Sequence, residues 1–424
     1  MTAEWPPSLW VATAEDPPEF DTLSGDHECD AVIVGGGFTG LSAALHLAEK
    51  GINVTVLEAE EPGFGASGRN GGQVNPGWYI TPDQIRKLYG SADGERVIQL
   101  VDGACDLVFQ LIEQHQISCE AVRPGFVQGS RAPGGIPKLK EKTRQWREVG
   151  VDVQMLDAAS SSTLLGTPAY LGAMYDPRGG NLQPLSYCRG LARAALTAGA
   201  RICKQARVTS LHRQGSRWRV ETATGSINAE KVAFCTNGYT DDAWPKLKRS
   251  VVPVASVQAA TEPLSEDILE HILPQRHAVS ETSRMFYYYK RDDYGRFHIG
   301  CAGPVFTSPD KNPLLKGKEG AEQYFPILKN AKWEFGWGGY VAITPTGQPR
   351  LMQIADGVYA GLAYYGRGVA MATAMGKELC AHLLNQETHI PASDLKQIPL
   401  HEFHKLGVSA RILGFKIMDL VSPT

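Results

Sequence analysis

The sequence predicts an α/β fold, α+β overall, and three observations carry that prediction. An apolar strand, Ala31 to Val34, runs into Gly35, Gly37 and Gly40 at GxGxxG spacing and then into a stretch of helical apolar period. Near the other end, Val358 to Leu362 leads through Tyr365-Gly-Arg-Gly-Val-Ala into a second helical stretch. Between them, residues 201–235 and 251–302 alternate apolar and polar side chains and break at glycines, as antiparallel strands do. Together they describe a Rossmann-like nucleotide domain, discontinuous in sequence, with an antiparallel β-sheet substrate domain inserted. The expected division is an extended lead-in, 1–28; a nucleotide domain of 29–80, 184–248 and 345–390; a sheet domain of 81–183 and 249–344; and a tail helix, 391–424.

The elements follow in order. Trp5 and Trp10 are expected to anchor the Pro- and acid-rich lead-in. In the first βαβ unit Gly35 turns the chain, Gly37 lets the backbone approach a pyrophosphate, and Gly40 lets the helix pack on the strand. The helix N-terminus presents unpaired N–H groups and a positive dipole end to phosphates. Glu58 closes the second strand, Val54 to Leu57, where an acid can accept from a ribose. The glycine-rich run Pro62 to Gln73 suits neither a packed helix nor a strand and instead wraps a ligand closely. Helical patterns occupy roughly 82–90, 93–117 and 136–149. A meander covers 201–235, and Arg284 to Lys290 with Arg296 to Gly300 reads as a hairpin about Asp292-Asp-Tyr-Gly295.

Bulk properties exclude some classes. The 424 residues carry a net charge of −3, with 43% hydrophobic and 21% charged residues, so there is no field for nucleic acid. Eight scattered cysteines form no CxxC pair and, with the histidines, no metal-ligand spacing, so no metal is expected and the thiols read as reduced, in a cytoplasmic protein. The acidic, Pro-rich start is no secretory signal, and no uncharged apolar run reaches membrane-spanning length. The tail from Phe403 to Leu420 is basic and amphipathic. It reads first as a helix packed on its own domain or another subunit, and second as a peripheral membrane contact. Oligomeric state stays open.

The blocks GGGFTGLSAALHLAEKG, GFGASGRNGGQ, Gly-Gly-Asn-Leu-Gln-Pro184, Cys235-Thr-Asn-Gly238 and Gly361 to Gly376 resemble the flavin-dependent amine and amino-acid oxidases of the D-amino-acid oxidase, glycine oxidase and sarcosine oxidase superfamily. Within it the chain is most similar to the branch of γ-glutamylputrescine oxidase and bacterial L-pipecolate oxidase. The resemblance implies FAD. It implies that Gly35, Gly37, Phe38, Thr39 and Gly40 hold the pyrophosphate, and that Glu58 and Ala59 hold the adenosine ribose. Ser67, Gly68, Arg69, Asn70, Gly71, Gly72 and Gln73 would line phosphates and flavin, with Val208 at the adenine and Asn237 and Gly238 in the following turn. Gly366, Arg367, Gly368, Val369, Ala370 and Met371 would set a helix N-terminus at the pyrimidine edge, where reduced flavin is anionic.

Three departures from the family pattern shape the expectation. The histidine near Asn70 and the cysteine near Gly339 that attach flavin in some relatives are absent, which implies non-covalent FAD. The arginine that clamps a substrate carboxylate is replaced by Val341, which favours an amine or an acid held elsewhere. The lysine placed over the flavin in sarcosine oxidases corresponds to His298. The implied reaction is oxidation of a C–N bond in an amine or secondary amino acid, with an imine product and dioxygen as acceptor; a dehydrogenase feeding a membrane quinone and a nicotinamide enzyme are the alternatives. Candidates for the substrate pocket are Tyr365, His298, Tyr287, Tyr340 and Trp337, with Tyr289 beside them; the bland reading of Tyr287 and Tyr289 is that they face the core. Arg367 would neutralise the flavin or bind a substrate carboxylate, or else begin a surface helix.

Overall fold

The computed structural model describes residues 4–311 and 313–421. Residues 1–3 of the lead-in and 422–424 of the tail therefore lie outside the described residues, as does the Leu420 side chain.

Two large sheets organise the chain. The first has nine strands. At its centre Gly25–Val34 pairs in parallel with Val54–Leu57 on one side and with Gly225–Phe234 on the other. Val54–Leu57, buried at every position, is further covered by Arg201–Lys204, and the meander Val208–Gln214, Arg217–Thr222, Gly225–Phe234 closes the other edge. The end of Gly225–Phe234 also pairs in parallel with Val358–Leu362. Helix Phe38–Ala48 has all but one residue buried because it lies between this sheet and the helices Pro184–Thr197 and Gly368–Leu383. The contact is close enough that a Cβ on Gly376 would lie 2.5 Å from the Thr39 carbonyl oxygen.

The second sheet has eight strands in the order Trp333–Ile343, Val252–Thr261, Phe297–Ala302, Tyr288–Arg291, Ala278–Glu281, Phe126–Ser130, Gly172–Asp176, Gln154–Asp157. It is antiparallel as expected except where Ala278–Glu281 runs parallel to Phe126–Ser130, because those strands come from distant chain segments with no hairpin between them. The Asp292 to Gly295 turn is fixed by Asp292 Oδ1, which accepts from the Tyr294 and Arg296 amides at 3.0 and 2.7 Å, and by Gly295 at φ +77°.

The lead-in is not simply extended. Ser8 caps a short helix, Leu9–Thr13, and Asp21–Thr22 joins the first sheet. Trp10 is buried and donates from Nε1 to the Asn70 carbonyl at 2.7 Å, so the lead-in holds the glycine-rich wrap.

Candidate functional site

A cavity of about 540 Å³ runs between the two sheets. Its first half is built from backbone. Gly35, at φ +107°, ends the central strand, and helix Phe38–Ala48 opens behind it with Gly37 as its cap. A Cβ on Gly37 would lie 2.7 Å from Ser67 Oγ, the atom that accepts from the Phe38 amide at 2.9 Å. Glu58 Oε2 accepts from the Gly36 amide at 2.7 Å and Oε1 from the Glu60 amide at 3.0 Å; burial pushes its carboxyl up against those bonds. Ala59, Val208 and Asn237 line the same half. Asn237, itself at φ +44°, accepts from the Ala363 amide. These residues fit FAD: a side chain at Gly37 would fill the cradle that a pyrophosphate needs.

The wrap 66–73 borders the same cavity and is tied down by its own polar atoms. Asn70 donates to the Ala66 and Ser67 carbonyls and accepts from the Gly72 amide; Gln73 donates to the Val279 and Tyr289 carbonyls of the second sheet. Arg69 lies over Phe64 and donates to the Phe64 and Gly338 carbonyls. From the C-terminal side come Tyr365, Gly366, Arg367, Gly368 and Val369. Ala363, Tyr365 and Gly366 all have positive φ, a cluster of costly backbone such as functional loops retain.

The second half is built from side chains of the second sheet. One register row crosses five strands: Gln128, Ser280, Tyr288, Gly300 and Gln258. All but Gly300 line the cavity, and Gly300 leaves the room that the Tyr288 ring occupies. Tyr288 hydroxyl bonds Ser256 Oγ at 2.7 Å and Gln258 Nε2, and burial pushes its phenol up to about 12. Tyr79 stacks edge-on against Tyr365 with centroids 4.8 Å apart. Glu281, at the end of its strand, accepts at Oε1 from Tyr324 hydroxyl and the Tyr287 amide, while burial raises its pKa. Among the described residues Glu281 Oε2, Gln258 Oε1 and Arg367 Nη1 are buried without a hydrogen-bond partner, and all three residues line this cavity.

The structure separates the expected residues. Tyr340 and Tyr365 line the cavity; Tyr287, Trp337, His298 and Tyr289 do not. Tyr287 and Tyr289 sit on either side of Tyr288, so strand alternation turns both away, into the cluster around Tyr324. His298 is on the cavity-facing side of its strand but one row farther on, where Trp10 covers it and Trp337 stacks on it at 5.3 Å. That corner is buried, and desolvation with nearby Lys290 holds the His298 imidazole neutral. Trp337 is fully buried and donates to the Arg69 carbonyl. Gly40, Gly68, Gly72, Gly238, Ala370 and Met371 lie behind the wall. A Cβ on Gly40 would collide with the Gly35 carbonyl, and one on Gly238 would lie 2.8 Å from the Tyr340 carbonyl oxygen. Arg367 begins no surface helix: it is 6% exposed.

Sequence reasoning missed Gln128, Tyr288, Glu281 and the tail. Glu281 had a signal, an acid inside the apolar run Ala278-Val-Ser-Glu. Tyr288 had none beyond its place in a triple tyrosine, since parity needs the register. Helix His404–Val421 turns Val408, Arg411, Ile412 and Phe415 to the cavity, and Asp419 pairs with Arg284 at 2.5 Å. Its opposite side leaves Leu406, Leu413 and Ile417 exposed. No helix among the described residues is long and apolar enough to cross a membrane.

The comparisons agree with this geometry. The sequence pattern of the DAO family, FAD dependent oxidoreductases, matches residues 30–382. The chain is 32% identical over 387 residues to γ-glutamylputrescine oxidoreductase of Escherichia coli strain K12, which covers 89% of this chain and 88% of that protein. In three dimensions it resembles glycine oxidase of Geobacillus kaustophilus, with TM-score 0.73, 21% identity and 88% and 99% of the two chains covered. It also resembles L-proline dehydrogenase from P. horikoshii, with TM-score 0.71, 21% identity and 86% and 96% covered. With the family pattern spanning most of its length and a relative above 30% identity, this chain belongs to the DAO family of FAD-dependent oxidoreductases.

Proposed function

We propose that the chain oxidises a C–N bond in an amine or secondary amino acid, giving an imine, with dioxygen as final acceptor and hydrogen peroxide as product. The observation that supports this most is the single cavity joining the glycine cradle of one sheet to the polar and aromatic row of the other. When bound, FAD supplies the hydride acceptor. Gly35, Gly37 and Thr39 would hold its pyrophosphate, Glu58 and Ala59 its ribose, Val208 its adenine, and the wrap 69–73 with residues 366–369 its ring.

The chain's own residues bind, orient and keep water out. Tyr288 keeps its proton at neutral pH, so it does not act as a base, and its oxygen accepts from Gln258 Nε2. Tyr79, Tyr365 and Phe286 form an apolar mouth in which an ammonium group loses its proton more readily than in water. A neutral amine is the form that gives up hydride. FAD would be held without a covalent bond, because no histidine occurs in 66–73 and no cysteine in 333–343, around Gly339; heat denaturation and ultrafiltration should leave the yellow colour in the filtrate.

The test is anaerobic bleaching of the yellow protein by γ-glutamylputrescine, pipecolate, proline, sarcosine and glycine, followed by air. Bleaching by an amine and rapid recolouring is the expected result. Bleaching without recolouring would overturn dioxygen as acceptor, and no bleaching would overturn the reaction.

A further inference from the structure

Two indoles hold consecutive carbonyls of the glycine-rich wrap. Trp337 Nε1 donates to the Arg69 carbonyl at 3.0 Å and Trp10 Nε1 to the Asn70 carbonyl at 2.7 Å. The peptide bonds are trans, so the C=O and N–H of one peptide unit point in opposite directions. Holding a carbonyl therefore aims the amide that follows it. The Asn70 amide, aimed by Trp337, is taken inside the wrap by the Ala66 carbonyl at 3.1 Å. Gly71 is buried and lines the cavity, and its amide, aimed by Trp10, meets no acceptor among the described residues. A buried N–H in that state is costly until an occupant supplies an acceptor. Gly71 also lies at the seam of the two halves, since a Cβ on it would come within 2.9 Å of the Tyr288 ring.

Trp10 is held from several sides. It is 1% exposed, edge-on to Trp337 at 5.6 Å, with Lys290 Nζ 4.7 Å from the ring centroid, and its own carbonyl accepts from Gln183 Nε2 at 2.9 Å. Farther along the lead-in, Glu15 donates from its amide to Ser186 Oγ and accepts at its carbonyl from Arg189, both on helix Pro184–Thr197. This segment precedes the stretch matched by the family pattern, which begins at residue 30.

We propose that Trp10 is a positioning residue for the cofactor: by holding the Asn70 carbonyl it turns the Gly71 amide to an acceptor on the flavin ring. The lead-in thereby completes the FAD site from outside the segment that the family pattern covers. This rests on the reading that the wrap 69–73 lies against the ring.

The test reads the cofactor and needs no turnover. Two full-length variants are made: Trp10→Phe, and one with 3-benzothienylalanine at position 10, which keeps the shape of the indole and lacks only its N–H. Apoprotein is titrated with FAD by flavin fluorescence, and the midpoint potential of the holoprotein is measured with its visible spectrum. Both variants should bind FAD about tenfold more weakly and move the potential by about 30 mV, which is tenfold for a two-electron couple. If Trp10→Phe fails to fold, the benzothienyl variant decides. Ser8→Ala loosens the lead-in at its helix cap and leaves the indole bond, so it should lower Tm and keep the wild-type potential. A lower Tm with unchanged FAD affinity and potential in the position-10 variants, or an equal potential shift in Ser8→Ala, would overturn the proposal and leave Trp10 a structural anchor. Arg69→Gln tests the placement of the wrap separately, because it removes a charge there and spares both indole bonds. A potential shift with Arg69→Gln and none with the benzothienyl variant would overturn the role of Trp10 alone. No shift with either would overturn the placement of the wrap as well.

Discussion

The two halves of the cavity are made differently. The nucleotide half is backbone: Gly35, Gly37 and the helix start at Phe38 lie within four residues, and a missing Cβ is the working part. The substrate half is side chain: Gln128, Ser280, Tyr288 and Gln258 come one from each of four strands that span more than 130 residues and meet only through register. The first kind of site tolerates almost no added atom, because backbone cannot move aside. The second tolerates exchange of a side chain at the cost of what that side chain bound.

The largest effect should therefore follow a substitution in the first half. Gly40→Val puts a branched side chain onto the Gly35 carbonyl, at the point where helix meets strand. Neither neighbour is a flexible side-chain end, so the expected outcome is protein that is insoluble or lacks FAD, read from the ratio of visible to ultraviolet absorbance. A soluble, yellow Gly40→Val protein would break the contrast between the halves.

The second effect tests parity. Tyr288→Phe removes a hydroxyl shared with Ser256 and Gln258 in the cavity wall, whereas Tyr287→Phe alters a ring packed against Tyr324 and Gly320. Anaerobic stopped-flow reduction should slow by about tenfold or more in the first and stay within about twofold in the second. Equal effects would mean that the row does not define the substrate end.

This difference also explains what was legible. A GxGxxG turn, its strand and its closing acid are local, so Gly35 to Glu58 could be read from the chain, and so could the two kinds of sheet. Tyr287 and Tyr289 were chosen over Tyr288 because alternation fixes only which residues share a face, not which face meets the ligand. His298 was on the right face but one row off, where Trp10 of the lead-in and Trp337 cover it, a contact that alternation does not reveal. The tail's cavity face could not be separated from a core-facing stripe, since both have the same period.

A third, smaller effect concerns that tail. The Arg284–Asp419 pair is partly buried, with side chains 22% and 27% exposed, and links the helix to the loop at the mouth. A pair of this kind contributes about 1 kcal/mol or less, so Asp419→Asn should raise the apparent KM about fivefold or less and leave FAD content unchanged. An altered FAD content would assign the tail to the nucleotide half.

The smallest effect on catalysis and the most specific in form concerns Lys142. Desolvation first, and then repulsion from Arg367 and Arg178 against the pull of Asp176, holds its ammonium down at about 7. An unfolded lysine titrates near 10.4. Between those values the folded chain binds fewer protons than the unfolded one, so this group makes stability rise with pH across the window and its burial is most unfavourable below about 7. Lys142→Met removes that dependence while keeping most of the volume. The Tm advantage of the variant over wild type should be greatest near the acid end of the window and shrink towards its alkaline end, since the other titrating groups are common to both proteins. A constant difference would mean that only the bond to Gln128 was lost. With the expected slope, the same substitution makes the protein more stable, which is how a wall built from buried side chains should behave and one built from glycine should not.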